Sequence, residues 1–311
     1  MQETKNKRLA ILFIALCCMT ATAFWLNKTD GAVQVDKDLF KDLDLKTIDQ
    51  ITLESKGGRV ELKFNGAKWE VNNQFDADPA MIEVIFATLQ QAEPKRLLAA
   101  SLQDSITHAL KVDGVKISLL SSGKTLSQFY AGGNALKTQA YFCGGDDDPK
   151  SYLVSIPGYR VYVSGIFELP EKDWRNKYVF GFNWRNFLRL ESKFPQNPDA
   201  NFEIEFLDNF FTVQGLTDID TAKVNNFLDD VSLLTVNEYT DQEVFPDSLS
   251  RPSPTMVLTV KDIAQRAYTL QLYPPSDPDQ PIPGLLNGVQ WAYFNPDQVR
   301  QVFKVRAFFA K

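Results

Sequence analysis

Histidine is almost absent and cysteine is scarce: the 311 residues hold one His and three Cys. Metal sites built on imidazole and thiolate draw three or four such ligands into one place, so most of them are excluded. Most nucleophile–base pairs are excluded too, because His108 is the sole imidazole that could act as a general base. No G-x-S-x-G, C-x-x-C or H-E-x-x-H occurs. A basic stripe is also missing. The 33 Lys and Arg stand against 39 Asp and Glu, a net charge of −6, which leaves no electrostatic footprint for nucleic acid. Long apolar runs are confined to the first 26 residues, which excludes a polytopic membrane protein. Apolar residues at 44% and charged residues at 23% are those of an ordinary globular chain, which excludes a disordered or fibrous one.

What the N-terminus does have is a signal-like pattern. Lys5, Lys7 and Arg8 precede an uncharged stretch from Leu9 to Leu26, and Asp30 follows it. Eighteen helical residues span ~27 Å, enough for a thin hydrocarbon core. The basic flank puts residues 1–8 in the cytoplasm and the bulk outside, with Trp25 at interfacial depth. Three readings stay open: an uncleaved signal anchor over 9–26, a signal peptide cleaved after Ala21-Thr22-Ala23, and a lipoprotein signal at Cys17 or Cys18. The last lacks the small residue its cleavage site needs. All three export the chain. Beyond residue 26 there remain 30 basic and 38 acidic residues, net −8, and one cysteine, Cys143, so an exported domain has no internal disulfide and depends on its core.

The rest of the chain reads as a repeat. Ile51-Thr-Leu-Glu-Ser-Lys56, Val60–Phe64, Lys68–Val71 and Asp76-Ala-Asp78 return as Leu188-Arg-Leu-Glu-Ser-Lys193, Phe202–Phe206, Phe210–Val213 and Asp218-Ile-Asp220. The alternation of apolar positions predicts strands with one buried face. Asp78 and Asp220 are placed to cap helices, with Pro79 at a favoured first position. In those helices Ile82, Ile85, Phe86 and Leu89 return as Val224, Phe227, Leu228 and Val231, one stripe at i, i+3, i+4, i+7. Further strands are predicted at Val115–Leu120, Leu126–Ala131 and Ala140–Phe142, and at Met256–Val260, Tyr268–Tyr273 and Val289–Phe294. A short helix closes each half, after Pro157 and after Pro296. The expected fold is α+β: two tandem homologous lobes, each a mainly antiparallel sheet with one main amphipathic helix, after a transmembrane helix. The expected segments are a tail (1–8), an anchor (9–26), a linker (27–37), a first repeat (38–170), a junction (171–184) and a second repeat (185–308).

Candidate chemistry is thin. His108, in the helical Ser105–Leu110, has no partner nearby in sequence and reads as an ordinary surface or structural residue. Asp146, Asp147 and Asp148 follow Cys143-Gly-Gly145. They could attract a hard cation, or act as hydrolytic carboxylates if another acid converged on them, but the run lacks calcium-loop spacing and reads as a turn. Asn197–Asn201 reads the same way. Ser122-Gly-Lys-Thr125 ends like a phosphate-binding loop, yet Ser118 stands where its first glycine belongs, so it too is a hairpin turn. Two Trp-Arg-Asn triplets ten residues apart, at Trp174-Arg175 and Trp184-Arg185, make these four residues, with Trp291, the candidate contacts for a partner or ligand, set against the simpler reading that they fill the core. The run Pro274–Pro283 reads as a stiff exposed loop.

The opening strand pair Ile51–Phe64, the Gly66-Ala-Lys-Trp69 hairpin, the Asp78-capped helix, Ala109-Leu110 before Val115–Leu120, Tyr152-Leu-Val154 and the Trp174–Phe182 junction together resemble a bacterial domain-of-unknown-function family of membrane-anchored extracytoplasmic proteins. Members are often encoded beside gliding-associated ABC-type export systems. The resemblance implies an accessory role at the cell envelope and assigns no catalytic residue; the Pro-rich run departs from it.

The expectation is therefore a non-catalytic accessory or scaffold protein of a bacterial envelope complex, anchored by one pass in the inner membrane with its bulk in the periplasm. Its expected partners are an envelope protein complex, with ABC-type transporter subunits as one candidate, and the membrane through the N-terminal helix; no cofactor, metal or nucleic acid is expected. The alternative is a carbohydrate- or lipid-binding module with Trp174, Trp184 and Trp291 exposed in one groove.

Overall fold

The computed structural model describes residues 2–27, 35–40, 44–145, 149–182, 185–207, 210–242, 244–245, 252–277 and 280–311. Helix α1 (Gln2–Asn27) carries the N-terminal apolar run. Its side chains from Ile11 to Ala23 are described, and all are exposed. Among the described residues no helix is long and apolar enough to cross a membrane; the uncharged run Leu9–Leu26 extends past those side chains at both ends. The chain divides into two compact units, Met1–Trp174 and Arg175–Lys311.

The first unit follows α1 with β1 (Gln50–Ser55), β2 (Gly58–Phe64), β3 (Trp69–Val71), β4 (Phe75–Asp76), α2 (Pro79–Gln91), β5 (Glu93–Leu97), α3 (Ala100–Asp113), β6 (Val115–Ser121), β7 (Lys124–Gly133), β8 (Ala140–Gly144), β9 (Ser151–Ser155) and α4 (Glu171–Trp174). The nine strands form one antiparallel sheet, ordered β4-β3-β2-β1-β6-β7-β8-β9-β5. Alternation sets the buried face: Ile51, Leu53, Leu62, Ile117, Leu119, Phe129 and Phe142 point into a core that α2 closes with Ile82, Ile85 and Leu89. Asp78 caps α2, its Oδ1 accepting from Ala80 N at 2.9 Å, and Pro79 begins the helix. Ser122 and Gly123, both at positive φ, make the tight β6–β7 turn of a two-residue hairpin, not a phosphate loop. The helix expected around His108 is the fourteen-residue α3.

The second unit holds β10 (Phe187–Lys193), β11 (Phe202–Leu207), β12 (Phe210–Val213), α5 (Thr221–Ser232), β13 (Glu238–Thr240), β14 (Met256–Asp262), β15 (Ala267–Leu272), β16 (Ile282–Leu286), β17 (Gln290–Phe294) and α6 (Pro296–Val302). Its sheet order, β12-β11-β10-β14-β15-β16-β17-β13, repeats that of the first unit strand for strand, without a counterpart of β4. Asp220 caps α5 by accepting from Ala222 N and Lys223 N. Val224, Phe227, Leu228 and Val231 are all buried in the core.

Three differences from the sequence reading have physical causes. Strands β4, β5, β9, β13 and β16 are not among those predicted; β5 and β13 lie at a sheet edge, where Pro94, Lys95, Arg96 or a three-residue length are tolerated and alternation fades. The run Pro274–Pro283 is not loop to its end: Ile282 and Pro283 open β16, and the Pro283 carbonyl accepts from Tyr273 N at 2.9 Å. The segment after Pro157 closes the first unit as a 3-10 helix, Val163–Glu168, while α6 closes the second as expected.

The first pair of repeated strands exposes a slip. Sequence likeness aligns Ser192 with Ser55. Pairing does not: Leu62 lies opposite Ile51 and Val71, whereas its equivalent Ile204 lies opposite Leu190 and Val213. Ile51 thus corresponds to Leu190, and Ser192 takes the core position of Leu53. A two-residue slip keeps every side chain on its own face, so the alternation cannot reveal it. Ser55 accepts from Gly57 N in a tight turn, but Ser192 is fully buried and its hydroxyl has no hydrogen-bond partner. Ser192→Ala removes this unsatisfied group and is expected to raise stability by about 1 kcal/mol in urea denaturation; a loss of that size would show that the hydroxyl is satisfied.

Candidate functional site

Neither Trp174 nor Trp291 is exposed. Trp174 ends α4 as a fully buried member of the first unit's core, its indole N–H unpaired, and its carbonyl accepts from Asp78 N at the start of α2. Trp291, in the second unit, is 7% exposed and packs with Tyr273 and Phe245, ring centroids 5.3–5.7 Å apart. Both take the simpler of the two readings and are core, and the alternative that needs them exposed is overturned for this pair. Arg185 is exposed in a turn, and Trp184 lies outside the described residues.

Arg175 is structural as well. At 6% exposure it donates from Nη1 to Gln290 Oε1 at 3.1 Å, sits 5.5 Å over the Tyr239 ring and lies 3.8 Å from Asp241. Burial pushes the Tyr239 phenol up to about 12, against a smaller opposing pull from the Arg175 charge. These contacts tie the chain's entry into the second unit to β13 and β17. His108 is exposed on α3. Asp146, Asp147 and Asp148 lie outside the described residues, and among the described residues no group of three or more His, Cys, Asp or Glu could hold a metal ion.

The surface features that stand out are two grooves on the first unit, one on each flank of α2. Helix geometry separates them: Glu83, Phe86, Ala87 and Gln90 share one flank, and Val84, Thr88 and Gln91 share the other, roughly 120° away. The larger, about 590 Å³, lies between the second flank and the segment Ile156–Leu169. Its wall is apolar and open to solvent, with Tyr159 65%, Val161 53% and Val84 45% exposed. All three side chains line this one groove.

The wall is held firmly. Tyr162 packs against the bare backbone of Gly133, and its hydroxyl donates to Glu168, which also receives Lys137 Nζ at 2.6 Å. Burial and then the Glu168 hydrogen bond push the Tyr162 phenol well above the ordinary tyrosine range. It is a neutral donor across physiological pH, a fixing group and not an acid–base one. Ser164 Oγ donates to the Gly132 carbonyl at 2.7 Å, pinning the same segment to β7.

The second groove, about 570 Å³, has an aromatic floor of Phe64, Trp69 and Phe86, with centroids 5.9 and 5.5 Å apart along the chain of rings. Lys46, Glu83 and Gln90 stand at its rim. Sequence reading passed over both grooves. The signal available was Val84, an apolar residue off the stripe Ile82, Ile85, Phe86, Leu89, together with the apolar run through Tyr159 and Val161 in a Pro-Gly loop.

Gly133→Ala would drive a methyl into the Tyr162 ring and the Gln139 carbonyl. It is expected to cost about 1–3 kcal/mol and to raise hydrogen exchange across 156–169; wild-type protection there would mean that Tyr162 does not hold the wall.

A family model described as Domain of unknown function (DUF4340) matches residues 69–252. No curated protein and no solved structure matches the chain.

Proposed function

The chain belongs to this domain-of-unknown-function family, and from that footing we propose that it is a non-catalytic accessory or scaffold protein of a bacterial envelope complex, with ABC-type transporter subunits as its partners. The uncharged run Leu9–Leu26 behind Lys5, Lys7 and Arg8 supports a single-pass inner-membrane anchor with the two units in the periplasm. The observation that carries the reading is the exposed apolar groove between α2 and Ile156–Leu169. Its walls are preset by Gly133, Tyr162 and Glu168, so a partner's apolar surface can dock without a prior ordering cost in the groove.

The test is site-specific photocrosslinking in native membranes, with the photoreactive residue at Val84 or Tyr159 and, as control, at Val289, an 83% exposed residue of the second unit. Transporter or other envelope subunits captured from the two groove positions and not from Val289 support the proposal. Capture no greater than from Val289 refutes it. Val84→Asp and Tyr159→Asp, both at exposed sites, are expected to cut co-purification of the captured subunit roughly tenfold without changing thermal unfolding.

A further inference from the structure

The two units treat the outer edge of their third strand differently. Residues 68–78 and 210–220 correspond position by position, since Leu62 pairs with Val71 as Ile204 does with Val213, and Asp78 and Asp220 both cap the helix that follows. In the first unit the chain folds back on β3. Asn72 and Asn73 both take positive φ, 51° and 54°, the combination whose twist suits a hairpin. Strand β4 therefore returns beside β3, with Phe75 opposite Val71 and Asp76 opposite Glu70. Ala77 N then donates to the Trp69 carbonyl at 2.9 Å and closes the edge. In the second unit the turn is Gln214-Gly215, and of the two only Gly215 is at positive φ, 82°. Leu216 N still donates to the Val213 carbonyl at 3.1 Å, but this type II turn splays the segments it joins. Ile219, the counterpart of Ala77, bridges to Ala310 instead of returning to β12.

Strand β12 is thus the end of its sheet, and among the described residues no strand pairs along its outer side. Its sequence, Phe210-Phe-Thr-Val213, carries no charge and no proline, two of the devices that blunt an edge against pairing. We propose that β12 pairs with β12 of a second copy of the chain, antiparallel about a two-fold axis at Thr212. In that register the strand is complementary to itself. Thr212 faces Thr212 of the second copy, a favourable cross-strand pair. Phe211 faces Val213 of the second copy, the same couple that β4 supplies in the first unit as Phe75 with Val71. Phe210 faces Gln214, so no like charges meet. A foreign strand has to bring this pattern with it, whereas a second copy has it by identity. Leu207 and Phe210, an exposed pair at the open end of the β11–β12 ladder, add apolar surface beside the contact. The two eight-stranded sheets join into one, and the isologous contact closes as a dimer without propagating. The inference is independent of the envelope assignment and of both grooves on the first unit.

The test uses purified full-length protein in mild detergent, with Cys17→Ser and Cys18→Ser so that the buried Cys143 is the one native thiol left. Thr212→Cys, at an exposed position, is added and the protein is oxidised with copper–phenanthroline. Facing residues of antiparallel strands stand ~4.5–5.5 Å apart at Cα, inside the disulfide range, so a covalent dimer is expected at roughly ten times the yield of Val289→Cys, an 83% exposed control. In sedimentation velocity, Thr212→Lys and Thr212→Glu each set like charges face to face and are expected to weaken the dimer roughly fivefold, and mixing the two restores it. Thermal unfolding of these variants is expected to stay that of the wild type. A Thr212→Cys yield no higher than that of Val289→Cys overturns the proposal, and so does a Lys–Glu mixture that dimerises no better than either variant alone. A photoreactive residue at Thr212 that captures a different protein and no second copy also overturns it, since the edge would then take a foreign strand.

Discussion

Each unit depends on one contact, the apolar stripe of a single helix laid against one face of an antiparallel sheet. In the first unit Ile82, Ile85 and Leu89 of α2 meet Ile51, Leu62 and Ile117; in the second Val224, Phe227, Leu228 and Val231 of α5 meet Leu190, Ile204 and Leu258. Burying a large aliphatic or aromatic side chain contributes about 1.5–3 kcal/mol, so three or four per helix are the main return for ordering the chain. An Asp at each N-terminus, Asp78 and Asp220, starts the helix at the residue that brings this stripe into register. Val163 and Phe167 in the first unit, and Val299, Val302 and Phe309 in the second, complete these cores.

Because that contact fixes only one face of the helix, the other flanks were free to diverge after duplication. In the second unit rings gather beside β12, with Phe187 5.9 Å from Phe211 and 5.4 Å from Phe182. In the first, one flank stays open over Trp69, and the far flank is walled by the segment Ile156–Leu169. The scaffold is symmetric in topology and asymmetric in what it leaves exposed.

The residues singled out for function by type alone, Trp174, Arg175 and Trp291, turned out to be supports. A tryptophan carries so much apolar area that burial is its default unless the surrounding surface is too small to cover it. Arg175 shows the same for charge, since a guanidinium is tolerated inside when a carbonyl and a ring face, here Gln290 and Tyr239, take its donors and its plane. The groove residues carried a fainter mark. Val84 and Val161 are ordinary in composition and unusual only in where the fold leaves them.

The sequence by itself determined the duplication, the opening strands and main helix common to both halves, the two Asp caps and the apolar stripes, because these follow from periods of 2 and 3.6 and from local hydrogen bonding. Family membership was legible too, in short motifs spread along the chain. Tertiary structure alone decided the edge strands β5 and β13, too short or too rich in Pro and charge to show alternation, the interior strands β9 and β16, and the slip that sets Ser192 where Leu53 stands, which a period of two cannot register. It also decided which aromatics became core and which line a groove, since exposure depends on the neighbours that arrive from distant segments and not on the residue itself.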